Sequence, residues 1–361
     1  MVKSKLKSRE LSSAMINLLT VKMLFTYPRF LVERCENGAW ISVIVYGIVA
    51  LAVFFITGML YIRTEKLSIL SQSEYLGGKF LKAAVGIISI LLLMMNIAPM
   101  VRAFPEAIKT ALLQKASMLF ITSVLAVGIT IGAYYGIEAL SRIASVFLPV
   151  ALLFILVFFI LLAPEYDINN LYPLSVEKAL KEGSTSLSVF SDIFVLNFLL
   201  TYSENSKTVL KSGLTAILVS MICGALITFV YCLVYPYPSS ARFIVPMYQM
   251  SRIVSVGTYF QRLEAVFEFV WSVSIFIYAS IYIWVMCDIF RLSFNLKHNK
   301  PLTVPMLIIL LAFVFNEESY IKTLRANFVS SMILYPAFFI IPLIIGLWYI
   351  SKRKRKGALN R

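Results

Sequence analysis

The chain has 361 residues, 60% of them hydrophobic and 14% charged, with a mean hydropathy of +0.86 and a formal charge of +15. Soluble domains carry about a quarter charged residues, so this composition excludes a water-soluble globular protein. It also argues against nucleic-acid binding, because the basic residues gather at the ends of apolar segments and in the last ten residues, with no basic face interleaved with aromatics.

In chain order, apolar segments of membrane-crossing length are predicted at about 10–30, 39–62, 80–101, 117–135, 138–162, 187–204, 210–235, 263–287, 301–317 and 328–350. The expected fold is therefore an all-α polytopic membrane protein with ten transmembrane helices. In the first span, "TVKMLFTYPRF" carries Lys22, Thr26, Tyr27 and Pro28. Pro28 removes a backbone donor and crowds the turn before it, so a break is expected at Thr26–Arg29, with Glu33–Gly38 as the outer turn. After the third span, "VRAFPEAIKTALLQK" is amphipathic and is expected to lie at the interface. The sixth span opens with Gly183 and the hydroxyl residues Ser184, Thr185 and Ser186, and then carries Asp192. A carboxylate inside a span is costly unless it is paired or faces a polar cavity.

Ten spans divide into five plus five: repeat one at about 10–162, an outer loop at 163–186, repeat two at about 187–350 and a basic tail at 351–361, all within a single membrane domain, 1–361. Repeats of odd span number sit inverted in the membrane. Folds of this kind bind substrate where the first span of each half is broken, which predicts broken spans one and six. The site so predicted comprises Leu24, Phe25, Thr26 and Tyr27, with Asn96 of span three nearby, opposite Gly183, Ser184, Ser186 and Asp192. Pro28 is expected to shape the backbone. The four cysteines, Cys35, Cys223, Cys232 and Cys287, have no metal or redox spacing and read as small buried hydrophobes. His298 is the sole histidine. No metal site, cofactor or enzyme motif is expected. The first apolar segment is too long, and too polar at its far end, for a cleavable signal peptide.

Three stretches, "ENGAWISV" (Glu36 to Val43), "GIEALSRIASVFLP" (Gly136 to Pro149) and "RLEAVFEFVWSVSIF" (Arg262 to Phe276), together with "NLYPL" (Asn170 to Leu174), carry a family likeness. Over residues 9 to 350 the chain resembles the B subunit of the spore germinant receptors, which is related to the amino-acid/polyamine/organocation permeases. The resemblance implies a five-plus-five inverted-repeat fold in the spore inner membrane. It also implies recognition of a small nutrient such as an amino acid, beside an A-type membrane subunit and a C-type lipoprotein. Relatives carry glycines around the span-one break, whereas this chain has none before Gly38.

Within these stretches, Glu138 and Arg142 are four apart on one helical face and read as a structural pair. Glu264 and Glu268 are also one turn apart. They either pair with Arg262, face a ligand or cation, or contact another subunit. A nutrient receptor subunit, a secondary transporter of amino acids or related organic cations, and a scaffold with a vestigial pocket all remain open at this point.

Placing both termini on the inner side puts 20 Lys and Arg inside and 12 outside, with Lys22 within span one. A membrane-impermeant thiol reagent applied to sealed cells should therefore modify Asn170→Cys and leave Gly357→Cys unmodified. Labelling of position 357 would reverse the orientation.

Overall fold

The computed structural model describes residues 5–64, 67–243, 245–254, 263–315 and 320–359. Side chains at 111, 263–264, 320–335 and 356–359 lie outside the described residues. Every described element is helical apart from one isolated bridge between Leu6 and Ser203. Among the described residues, eight helices are long and apolar enough to cross a membrane, and a shorter apolar helix spans Lys300–Val314.

Burial sorts these helices into an inner and an outer set. Between Gly183 and Tyr202, 89% of the apolar window is buried against protein, and the figure for α11 (Leu263–Ser293) is 83%. For α6 (Ile137–Leu162) it is 17%, and for α5 (Met118–Tyr135) 28%. The outer faces instead expose Leu119, Val146 and Leu153. Such exposed apolar faces suit contact with hydrocarbon. Helix α11 and the 183–202 segment therefore form the protein-packed centre, with α1 (Ser8–Thr20), α3 (Ala39–Arg63), α4 (Ile69–Ala111) and α9 (Ser206–Val234) against them.

The first span is interrupted. Helix α1 ends at Thr20, α2 begins at Tyr27 (Tyr27–Cys35), and Val21 to Thr26 form successive turns. This corrects the expected position of the break by about one turn. Pro28 lies in the first turn of α2, where a missing N–H is tolerated because the first helical N–H groups have no intrahelical acceptor. Pro28 starts the second half of the span, and its missing donor leaves the Leu24 carbonyl open.

The sixth span departs from the α-helix in a different way. Residues Gly183–Val195 form a 3₁₀ helix of 13 residues, far beyond the usual three or four. The sequence supplies a reason in hydroxyls spaced by three. Ser188 Oγ donates to the Thr185 carbonyl (2.6 Å) and Ser191 Oγ to the Ser188 carbonyl (2.8 Å), and Asn197 Nδ2 continues the pattern to the Phe194 carbonyl (2.9 Å). Each side chain thus bonds the carbonyl three residues back, the same carbonyl that 3₁₀ geometry assigns to its own N–H.

A further expectation changes. The stretch after span three continues α4 as helix through Pro99 and Pro105. Val101, Phe104 and Ile108 are buried, so its amphipathic pattern reflects packing against protein. The break in α4 lies earlier, at Gly77 and Gly78, where Gly78 adopts φ +68°, a conformation readily available to glycine. Arg142 of α6 reaches Glu10 of α1, with Nε 3.4 Å from Oε1. The residue expected to join two turns of α6 therefore ties α6 to α1.

The turn at Glu36–Gly38 docks on the connection that follows α6. Glu36 accepts from Ser175 Oγ (2.7 Å) and pairs with Lys178 of α7 (Val176–Lys181), and this bond holds the Lys178 ammonium above its usual pKa. Gly38 packs so closely on Ser175 that a Cβ there would sit 2.3 Å from the Ser175 carbonyl oxygen. Because that neighbour is backbone, the clash cannot be relieved by a rotamer change. Gly38→Val should destabilise the protein by roughly 1–3 kcal/mol, read as a lower Tm in detergent and faster proteolysis within 163–182. An unchanged Tm would show that this contact is loose.

Candidate functional site

The break in span one brings Lys22 into the protein interior, facing the 3₁₀ segment. Lys22 is 6% exposed and Asp192 0% exposed. Lys22 Nζ lies 2.9 Å from Asp192 Oδ2, and it also donates to Asn96 Oδ1 (3.0 Å) and Ser191 Oγ (3.2 Å). Two of the ammonium protons thus go to Asn96 and Ser191, while the charge faces the Asp192 carboxylate at ion-pair distance.

The hydrogen bonds to the carboxylate gather on one oxygen, while the other faces Lys22. Asp192 Oδ1 accepts from Asn96 Nδ2 (2.7 Å), from Tyr278 OH (3.4 Å) and from Tyr282 OH in a close contact. Tyr278 and Tyr282 are four apart on α11 and so share a face. Four elements contribute to the cluster: the span-one break gives Lys22, α4 gives Asn96, the 3₁₀ segment gives Ser191 and Asp192, and α11 gives the two tyrosines.

The cluster is closed above and below. On one side the Phe25 ring, within the break, stacks on Trp271 of α11 (centroids 4.5 Å apart, 9° between planes), and Phe104 lies 5.0 Å from the same indole. On the other side Tyr202 OH donates to Asp288 Oδ2 (2.7 Å), Arg291 pairs with Asp288 (2.8 Å), and Leu6 N donates to the Tyr202 carbonyl (2.9 Å). The chain before α1, the end of the sixth span and α11 are thereby fastened together.

The sequence-predicted residues divide as follows. Asp192 and Asn96 belong to the cluster. Leu24 and Phe25 lie in the break, and no described backbone N–H donates to their carbonyls. Thr26 is buried just before α2, and Tyr27 OH donates to the Thr185 carbonyl (2.6 Å). The opening of the 3₁₀ segment faces elsewhere. Gly183 packs on Ser42 and Tyr46, Ser186 Oγ lies 2.8 Å from Ser42 Oγ, and Ser184 is exposed. At about 2 Å rise per residue, Ser186 lies roughly 12 Å and Gly183 roughly 18 Å from Asp192 along the segment. Glu268 is buried on α11, one stripe with the tyrosines. Arg262 and the Glu264 side chain lie outside the described residues.

Sequence reasoning missed Lys22, Ser191, Tyr278 and Tyr282 as parts of the site. A signal for Lys22 was present, since one buried-span cation and one buried-span carboxylate fall in the two spans expected to be irregular. Opposite charges in lipid surroundings are expected to meet.

With this geometry the comparisons fall into place. The sequence model of the family described as Spore germination protein matches residues 5–320. The chain belongs to this spore germination family. It is 24% identical to Spore germination protein YndE of Bacillus subtilis (strain 168) over 375 aligned positions, covering 98% of each chain. It is 21% identical to Spore germination protein A2 of the same organism, covering 95% of this chain and 94% of that one. Solved structures of mutant forms of a manganese transporter from Eremococcus coleocola share the fold at a TM-score of 0.61 and 12% identity, covering 94% of this chain and 78% of theirs. The protein is thus a multi-pass, permease-like membrane protein of a germination family, and that family is not one of enzymes.

Each charge of a buried pair is stranded when its partner is removed, typically at about 3–5 kcal/mol. Lys22→Met and Asp192→Leu should each destabilise the detergent-solubilised protein on that scale, and the double variant should recover more than half of the loss. Additive losses in a double-mutant cycle would mean that the two side chains do not interact.

Proposed function

We propose that this protein is the B-type subunit of a nutrient germinant receptor, and that its ligand is a small zwitterion such as an amino acid bound between Lys22 and Asp192. The observation that carries the reading is the buried ion pair at the break of span one. A buried pair adds little stability compared with a well-packed apolar substitute, so its presence at the centre of a membrane protein points to use. An amino acid carries both charges. Its ammonium can replace Lys22 at Asp192, while its carboxylate takes the Lys22 ammonium so released. The exchange leaves neither protein charge unpaired, whereas a simple cation or anion would strand one of them. The open carbonyls of Leu24 and Phe25 lie beside this position and can receive further ammonium protons.

Family membership supports a role in germination. The A-type membrane subunit and C-type lipoprotein are its proposed partners, in the spore inner membrane, with both termini on the inner side. The ten-span, five-plus-five inverted repeat is the proposed frame. The two interrupted or irregular spans, one at each expected half-start, support it.

Transport is the second reading, favoured by the fold shared with a manganese transporter. Among the described residues no group of three or more His, Cys, Asp or Glu could hold a metal ion. The Asp192 carboxylate already has an ammonium partner. These features favour an organic ammonium over a divalent metal as the ligand of this site.

Germination of spores carrying Asp192→Asn or Lys22→Gln in place of the native gene tests the proposal against a panel of single amino acids. The responsive amino acid should lose activity by about tenfold or more in sensitivity, the scale of one charge-assisted contact, at normal protein level. Its decarboxylated amine should not trigger the wild type. Unaltered dose responses in both variants would refute the site. Uptake of the same amino acid into vesicles containing the purified protein would move the reading from sensing to transport.

A further inference from the structure

Glu268 is the second carboxylate of the protein centre, and its surroundings are the reverse of those of Asp192. It is 1% exposed, and neither carboxylate oxygen has a hydrogen-bond partner among the described residues. One turn along α11, Trp271 is fully buried and its indole Nε1 likewise has no acceptor among the described residues. A donor and an acceptor three residues apart on one helix share a face, and both are left open. Burying polar groups in this state costs several kcal/mol in total unless something completes them.

Position gives these open groups a direction. Glu268, Trp271, Ile275, Tyr278 and Tyr282 follow one another at helical spacing and are all buried. They form one stripe of α11 that ends at Asp192. Ten residues separate Glu268 from Tyr278, about 15 Å along the helix. Between the two levels, the indole of Trp271 is held by the stacked Phe25 and the tilted Phe104. The same aromatic stack that closes the Asp192 cluster therefore forms the floor of the Glu268 level. On α10 (Pro246–Ile253), which packs against α11, Met247, Met250 and Ser251 are buried.

We infer that Glu268 and the Trp271 N–H form a second ligand subsite, outward of the Lys22–Asp192 pair, that takes a primary ammonium group on a short apolar or polar stem. Unlike Asp192, Glu268 has no ammonium of the described chain against it, so here a ligand cation supplies the missing charge and an oxygen of the same ligand can accept from the indole. The aromatic rings of Phe25 and Phe104 would hold the stem by apolar and cation–π contact. This subsite is separable from the zwitterion reading at Asp192, because its carboxylate and indole N–H are distinct groups with no partner among the described residues, and Phe25 borders both levels.

The probe is n-butylammonium, with n-butanol as its uncharged counterpart, titrated into the purified full chain in detergent and followed by thermal shift and calorimetry. The inference predicts saturable stabilisation by butylammonium and none by butanol. Glu268→Gln should weaken the apparent affinity by at least about tenfold, the effect of removing one charge-assisted bond. Glu268→Asp should weaken it less, and it carries the comparison if the glutamine variant does not fold. Asp192→Asn should leave butylammonium binding at the Glu268 level intact, so a failure there is separable from a failure of the central site. Arg262→Gln should also leave it intact. Absence of saturable binding, equal binding in wild type and Glu268→Gln, or loss of binding in Asp192→Asn alone would each overturn the inference. The same holds if Arg262→Gln and Glu268→Gln destabilise the protein equally and without an amine effect, which would make Glu268 the structural partner of Arg262.

Discussion

An ammonium and a carboxylate 2.9 Å apart in the protein interior constrain almost everything around them. Neither charge can be left alone in hydrocarbon surroundings. Lys22 meets Asp192 from within the six-residue interruption between α1 and α2. Asp192 needs donors on its second oxygen, and α4 and α11 supply an amide and two phenols. The break, the 3₁₀ segment and the buried face of α11 are thus one arrangement. Each has a polar reason to deviate from, or to be excluded from, contact with lipid.

The 3₁₀ segment shows how such a deviation is held in place. Hydroxyl and amide side chains at intervals of three bond the carbonyls three residues back, reinforcing a geometry whose backbone bonds alone are weaker than those of an α-helix. The same spacing places Ser191 toward Lys22 and its neighbour Asp192 onto the phenols. The fastening of Leu6, Tyr202, Asp288 and Arg291 at one end and the stack of Phe25 on Trp271 at the other close this polar centre. A ligand that separates Lys22 from Asp192 would act on the span-one break, which carries Phe25 of one closure and continues through α1 toward Leu6 of the other. That connection supplies a physical route from binding to a change at either membrane face.

Much of the fold was legible in the sequence, because blocks of about twenty apolar residues and a scarcity of charge leave helices as the economical way to satisfy backbone groups in a bilayer. The irregular first span was legible from Lys22 to Pro28, but its exact register was not. Proline marks a place where a donor is missing, and that place can be the start of a helix as easily as the gap before it. The interface helix expected after span three was misread for a related reason. Amphipathic periodicity cannot tell water from a polar protein face, and Arg102 and Glu106 pair with one another beside the buried Val101 and Phe104. Arg142 has a helix-spaced neighbour in Glu138, and tertiary packing adds Glu10 of α1, which no local pattern showed.

At the candidate site, Asp192 and Asn96 could be named from sequence, while the tyrosines of α11 could not. An i,i+4 pair of buried tyrosines looks like ordinary core until the carboxylate opposite them is placed. The period-three hydroxyls from Thr185 to Ser191 were visible as a polar opening of the span, and their meaning lay in the spacing. The measurement closest to the central claim is an experimentally determined structure of the protein saturated with the amino acid to which its spores respond. The account predicts that the Lys22 and Asp192 side chains move out of contact, with the ligand ammonium on Asp192 and its carboxylate on Lys22. An ion pair still intact, with the amino acid bound elsewhere, would contradict it.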